Sequence, residues 1–201
     1  IETERWELIE KFSPPEGWKP KNFSKASYNF VHGFSSAMQG KIEEAKKHLS
    51  ILNDLMKKGF RENYFNRIQN LELWNLEIQT AIALFYKDFE KAIQYAKKAT
   101  LIEVKLPAPS GPPRILKPTY ELLGEVYLKA GKPLQAQKEF SISLSRHSNR
   151  IRSLVGMARA AKLNGNKKIA MANYRKVVKQ LKNAKFELPE LKEAKQFLNI
   201  N

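Results

Sequence analysis

The sequence contains no cysteine, which excludes disulfide bonds, thiolate metal sites and cysteine nucleophiles. It also contains no apolar run that approaches the roughly 18 residues of a membrane-spanning helix. The hydrophobic content of 42% and the charged content of 28% are ordinary for a soluble globular protein. A length of 201 residues is enough for one or two domains, each with a hydrophobic core.

Catalytic and metal-binding motifs are missing as well. There is no glycine-rich phosphate loop, no Ser/His/Asp set and no HExxH sequence. The three histidines are His32, His48 and His147, and none has a partner at the spacing of metal ligands. We expect His32 to lie in a helix-packing core. The sequence therefore predicts no enzyme activity, no cofactor and no metal.

Acidic residues are scarce in the second half of the chain. The net charge is +16, and residues 117–201 carry 18 basic and six acidic residues. No acidic residue occurs between positions 140 and 186. Such an asymmetry indicates either an anionic partner or a solvated face with a basic bias.

What the sequence does contain is one pattern written twice at a spacing of 34 residues, within residues 120–174. The second copy repeats the small, turn-forming and aromatic residues of the first. The matched positions are Leu123-Gly124 with Met157-Ala158, Ala130-Gly131 with Asn164-Gly165, Ala136 with Ala170, and Phe140 with Tyr174. Small residues let two helices cross closely, and glycine favours the left-handed conformation that ends a helix.

The first copy, Tyr120-x2-Leu123-Gly124-x2-Tyr127 followed by Ala136-x3-Phe140, resembles the tetratricopeptide repeat (TPR) family. This resemblance implies an all-α fold: a right-handed superhelix of about four helix pairs, with an N-terminal segment and a C-terminal capping helix. It also implies a role in binding other proteins. Residues 105–165 are similar to a group of bacterial TPR proteins without an assigned activity.

Four regions follow from this pattern: an N-terminal capping segment (1–23), two divergent helix pairs (24–104), a proline-rich connecting loop (105–117), and two well-matched repeats with a capping helix (118–201). The spacing of Gly33, Gly40 and Ala45 equals that of Gly124, Gly131 and Ala136. The apolar periodicity predicts nine helices: 24–40, 41–57, 66–86, 88–104, 118–130, 133–146, 150–164, 167–183 and 187–198.

The remaining segments predict connections. Four prolines and a glycine between positions 107 and 113 exclude a helix there. This loop is either a linker between two halves or an ordered segment folded across the concave face. We expect residues 59–65 to form another loop, and we expect Trp6 and Trp18 to cover the end of the core.

The resemblance implies that the first helix of each pair lines a concave groove. The groove residues of the last two repeats are then Tyr120, Glu121, Glu125, Arg152, Arg159 and Lys162. Either Glu121 and Glu125 pair with Arg152 and Arg159 on the first helix of the next repeat, or the cations bind an acidic or C-terminal peptide. Phe30 and Phe34 stand where chaperone-binding TPR proteins have clamp residues, so a chaperone tail is not expected.

The sequence thus favours a protein-interaction scaffold that binds a peptide or partner protein. The alternative is binding of a polyanion, such as nucleic acid or an acidic membrane surface. A basic patch would carry it, formed by Lys167, Lys168, Arg175, Lys176, Lys179 and Lys182. A third alternative is a spacer domain. A start at Ile1, without a methionine or leader, predicts an excised or processed piece of a longer or of a secreted or periplasmic bacterial protein.

Overall fold

The computed structural model describes residues 6–9, 11, 16–17, 19, 21–58, 65–106, 117–184 and 188–200. Within these residues the fold is all-helical and without strands, which confirms the predicted class. In the described part of the chain, a short 3₁₀ turn, Trp6–Leu8, precedes nine α-helices: α1 (Asn22–Met38), α2 (Ile42–Lys58), α3 (Phe65–Phe85), α4 (Phe89–Lys105), α5 (Thr119–Lys129), α6 (Pro133–Arg146), α7 (Ile151–Leu163), α8 (Lys167–Leu181) and α9 (Pro189–Leu198). Each predicted helix is present, and its ends lie within two residues of the predicted ones.

The chain divides into two compact units, Ile1–Thr119 and Tyr120–Asn201. In the first unit α1 packs against α2 and α3, α2 also packs against α3, and α3 packs against α4. In the second unit α6 and α8 pack against α7, and α9 packs against both α7 and α8. Consecutive helices thus pack in sequence in both units. A right-handed superhelix of stacked pairs remains a prediction.

The same turn joins the two helices of all four pairs. A left-handed residue stands two positions before each second helix, at Gly40, Lys87, Gly131 and Gly165. The amide after it donates to the carbonyl five residues back: Lys41 to Ser36, Asp88 to Ala83, Lys132 to Tyr127 and Asn166 to Ala161. This is the hydrogen-bond pattern of a Schellman C-cap. The second pair lacks the glycine in its sequence but keeps the turn, because Lys87 adopts the left-handed conformation.

The core of the first unit is aromatic. The ring of Phe30 stacks on Trp74 with centroids 5.3 Å apart, and Phe34 meets Trp6 edge-on at 5.6 Å. Both phenylalanines are fully buried, so they form core and not an open pocket. A Cβ on Gly33 would lie 2.9 Å from Cβ of His48 on α2, as expected for a close crossing within this pair, and 2.8 Å from Cδ1 of Ile78 on α3.

Two residues of α3 differ from expectation. The periodicity places Ile68 and Phe85 on the buried side of this helix, but they are 42% and 49% exposed. Both lie near an end of the helix, where fewer neighbouring side chains can cover them. The central positions Leu71, Trp74 and Ile78 are buried as expected.

The second unit is built around Phe140 and Tyr174, which are both buried. A Cβ on Gly124 of α5 would lie 2.9 Å from the ring of Phe140, and Ala158 lies with Tyr174 in one core cluster. The ring of Phe140 also contacts Gly156 of α7. Phe140 therefore joins its own helix pair to the next one.

Several predicted features lie outside the described residues: Trp18, most of the loop 59–65, and residues 107–116 of the proline-rich loop. Among the helices that are described, none has the length and apolarity to cross a lipid bilayer.

Candidate interaction surfaces

Helix α7 carries three cations on one side. Arg152, Arg159 and Lys162 are separated by seven and three residues, which places them along one stripe of a helix. We call these three residues the α7 row. They are three of the predicted groove residues, and the structure brings all of them into contact with α9.

The two arginines of the α7 row bind carboxylates of α9. Arg152 Nη1 donates to Glu190 Oε1 at 2.6 Å, and both side chains are largely buried. Arg159 donates two hydrogen bonds to Glu193, from Nε to Oε1 at 2.9 Å and from Nη2 to Oε2 at 2.5 Å. Such two-point pairing fixes the direction of approach as well as adding energy.

Tyr174 and Phe197 complete this contact. The hydroxyl of Tyr174 donates to Glu193 Oε1 at 2.6 Å, and its ring lies 4.9 Å from that of Phe197. Lys162 Nζ stands 5.7 Å from the centroid of the Phe197 ring, within cation–π range. Each cation of the α7 row therefore meets one side chain of α9.

The pKa values of this cluster favour the charged pair. Burial opposes ionisation of Glu193, but the hydrogen bonds from Arg159 and Tyr174 lower its pKa below the ordinary value. Burial, followed by the bond to Glu193, raises the pKa of the Tyr174 hydroxyl. The cluster thus holds one ionised carboxylate between a guanidinium and a neutral phenol.

Glu121 belongs to a different, buried network. It is fully buried and accepts from Arg150 Nε at 2.7 Å and Nη2 at 3.1 Å. Ser153 Oγ donates to it at 2.6 Å and lies 2.8 Å from Ser143 Oγ. This network ties α5 to α6 and α7, so the carboxylate serves the packing of the unit.

The other two predicted groove residues of α5 are half-buried. The guanidinium of Arg146 lies over the ring of Tyr120, 5.8 Å from its centroid. Glu125 lies one turn beyond Glu121 on the same helix and is also partly accessible.

The predicted basic patch lies on and next to α8, and all six of its side chains are exposed. We call Lys167, Lys168, Arg175, Lys176, Lys179 and Lys182 the α8 stripe. Lys168, Arg175, Lys179 and Lys182 follow one another at steps of seven, four and three, so they share a face. Among the described residues no carboxylate pairs with any of the six. The aromatic residue of this helix, Tyr174, is buried and offers no stacking surface.

A groove of about 370 Å³ in the first unit has no counterpart in the sequence analysis. Its lining is mostly apolar and includes two tyrosines and two lysines, with residues from α2, α3, α4 and the turn between α3 and α4. The residues that line it include Leu49, Ile82, Ala83, Tyr86 and Tyr95. Its lysines already have acidic partners, because Lys46 pairs with Glu43 at 2.7 Å and Lys91 with Asp88 at 2.9 Å.

Two polar clusters of the first unit were also missed. Glu77 is fully buried, and neither of its oxygens has a hydrogen-bond partner. Burial, followed by the charge of Glu103, raises its pKa well above 4.5, although Lys117 opposes the shift. Glu103 in turn accepts from the amide and the hydroxyl of Thr119, both at 2.7 Å. No sequence signal distinguishes these glutamates from the solvated ones.

The second cluster contains His32 and His48, whose rings lie 5.7 Å apart. His48 Nδ1 is 2.9 Å from Asn29 Oδ1, and the ring of His32 packs on Tyr28 at 4.1 Å. Burial lowers the pKa of both histidines. His32 is half-buried in helix packing, close to its predicted place. Within the part of the chain that the structure describes, no three His, Asp or Glu side chains group as metal ligands would.

Comparison of the sequence with protein-family models and with curated proteins finds no match. The helical architecture and the surfaces of α7, α8 and α9 are therefore the features from which a function can be inferred.

Proposed function

We propose that this chain is a protein-interaction scaffold, which binds a peptide or a partner protein at the first helices of the pairs in its second unit and catalyses no reaction. The observation that carries the proposal is the α7 row. Arg152, Arg159 and Lys162 each engage a side chain of α9. The row thus has the spacing and geometry to recognise carboxylates and an aromatic ring on one face of a helix.

Physical reasons favour this surface for recognition. Arginine presents a planar fork that matches a carboxylate at two points. Arginine and aromatic residues are also the types that dominate binding energy at protein interfaces. The α7 row supplies two arginines next to a buried cluster that includes Leu154, Val155 and the ring of Tyr174, and a charged row beside an apolar surface suits the binding of an amphipathic helix.

Affinity capture with charge-reversed variants tests the proposal. The full chain, its Arg159→Glu variant and its Arg175→Glu variant are used as baits. The two variants carry the same charge change, one in the α7 row and one in the α8 stripe. We expect a saturable protein partner to bind the unmodified chain and the Arg175→Glu variant, and to be lost from the Arg159→Glu variant. Loss on Arg175→Glu alone would move the binding surface to α8, and absence of any saturable partner would refute a scaffold role.

A second candidate function is polyanion binding, and the α8 stripe favours it. Six exposed cations without acidic partners among the described residues suit a phosphate backbone. A titration with generic duplex DNA at increasing salt tests this. Six phosphate contacts give a log–log slope of about −5, and the Arg175→Glu/Lys179→Glu variant should lose about two units of slope. Absence of binding at low salt would eliminate this candidate.

A further inference from the structure

Helix α9 contacts the α7 row in the way that a helical ligand contacts a binding surface. Along α9, the residues that meet the α7 row are Glu190, Glu193 and Phe197. They stand at positions i, i+3 and i+7, which is one face of a helix. Their order follows that of the α7 row, so the two helices run in the same direction.

Helix α9 is weakly buried for a core element. Among its apolar residues only Ala194 is fully buried, while Leu191, Phe197 and Leu198 are partly buried. The helix has ten residues, fewer than the roughly 12–15 that an isolated helix needs. Its order therefore depends on the contact with α7 and α8.

The surface under α9 suits an exchangeable helix. Ala194 of α9 is buried in one cluster with Leu154, Val155, Tyr174 and Val177 of α7 and α8. The α7 row lies beside this cluster. If α9 left, this apolar strip would lose its cover next to three cations. An apolar patch with a charged rim is the usual mark of a protein-binding site, and helix-in-groove recognition uses anchors at such spacings.

We infer that α9 is a releasable occupant of this surface, and that the partner is an acidic amphipathic helix with two carboxylates and an aromatic ring at positions i, i+3 and i+7. The inference rests on the scaffold role proposed above. Because α9 is tethered by a short segment, its effective concentration is on the order of millimolar. The apparent affinity for a partner helix is then its intrinsic affinity multiplied by the fraction of molecules in which α9 is released.

Hydrogen exchange on the unmodified full chain tests the release of α9. We expect the amides of α9 to exchange at least about 100-fold faster than the buried amides of α7 and α8. Equal protection in the three helices would show that α9 opens only when the unit unfolds, and it would overturn the inference. This measurement needs no variant and is independent of any partner.

Binding in trans tests the chemistry of the partner. The probe is a fluorescein-labelled peptide of residues 188–200, and the readout is fluorescence anisotropy. The Glu190→Gln/Glu193→Gln variant of the full chain should bind it at least about tenfold more tightly than the unmodified chain, because weaker cis contacts raise the released fraction. The Glu44→Gln/Glu90→Gln variant is the control, with the same charge change at exposed sites in the first unit.

The remaining outcomes separate this inference from the scaffold proposal. A second probe, in which both glutamates of the peptide are replaced by glutamine, should bind the Glu190→Gln/Glu193→Gln variant at least about tenfold more weakly than the first probe does. This loss would tie the binding to the α7 row. Equal affinity of the probe for all three proteins would overturn the inference. Release of α9 and probe binding without a captured protein would leave the inference standing and count against the scaffold. A captured partner that needs Arg159, found while α9 stays fully protected from exchange, would support the scaffold proposal and overturn the inference about α9.

Discussion

The contact between Gly156 and Phe140 gives a quantitative prediction about what holds the second unit together. A Cβ at Gly156 would overlap the ring of Phe140, and even the more distant Cε2 would be only 2.8 Å away. The ring is fully buried and also touches Gly124 of α5, so it cannot move away freely. Gly156→Ala should therefore force a shift of the ring or of helix α7.

The magnitude follows from two opposed effects. Overpacking a buried site costs about 1–3 kcal/mol, while alanine in place of glycine within a helix gains about 1 kcal/mol. We expect Gly156→Ala to lower the free energy of unfolding by up to about 2 kcal/mol, or Tm by up to about 8 °C for a chain of this size. Gly124→Ala should cost less, because its Cβ would overlap the ring less deeply, at 2.9 Å.

A double-mutant cycle with Phe140→Leu shows whether the ring is the cause. Leucine lacks the ring atoms that the new Cβ would meet, so Gly156→Ala should become neutral or stabilising in that background. The expected coupling energy equals the whole overpacking cost of about 1–3 kcal/mol, measured by urea denaturation followed with far-ultraviolet circular dichroism. An equal loss of stability in both backgrounds would refute the reasoning, because the cost would then not come from the ring.

Three further predictions concern the turns and the buried carboxylates. Lys87→Gly should raise the free energy of unfolding by about 0.5–1 kcal/mol in thermal melts, because its φ of 58° strains a side-chain-bearing residue; no gain would show that the turn is unstrained. Glu77→Gln should stabilise the protein at pH 7 by about 1–3 kcal/mol. Because the pKa of Glu77 is raised in the folded state, this carboxyl group destabilises the protein only as pH rises above 4.5. Urea titrations should therefore show that the stabilisation by Glu77→Gln vanishes near pH 4. Glu121→Gln should lower the free energy of unfolding in urea titrations by about 3–5 kcal/mol, because Arg150 would keep a largely buried charge without this carboxylate. A loss below 1 kcal/mol would contradict a stabilising role of the Glu121 network.

The sequence predicted the helices well because their signals are local and repeated. Apolar periodicity, the turn at Gly131 and the spacing of Gly124 and Phe140 each depend on residues close in the chain. The second pair shows where such a signal fails. Its turn is made by Lys87, which carries no sequence mark of a left-handed residue, although the hydrogen bonds around it equal those at the glycine turns.

The partners of charged residues could not be predicted in the same way. The spacing placed Arg152 and Arg159 on one face, but their carboxylates are Glu190 and Glu193 on a later helix. A pairing of this kind depends on how α9 packs against α7, which no local pattern specifies. One signal was available: these glutamates stand three residues apart, soon after a long stretch without acidic residues. Gly156 was missed for a similar reason, because its contact with Phe140 joins two different helix pairs.

The placement of the few acidic residues changes what the net charge of the second unit means. Glu121, Glu190 and Glu193 each bind an arginine at the start of or within α7. The positive charge of α7 is therefore largely balanced within the unit, whereas the α8 stripe keeps its full charge exposed. If α9 were released, Arg152 and Arg159 would lose their carboxylates and the two basic surfaces would act together. Binding of an anionic partner should then favour the released state, since an arginine that no longer binds a carboxylate of α9 adds to the attraction. A rise in duplex affinity on Glu190→Gln/Glu193→Gln, absent for Glu44→Gln/Glu90→Gln, would demonstrate this coupling, and equal affinities would exclude it.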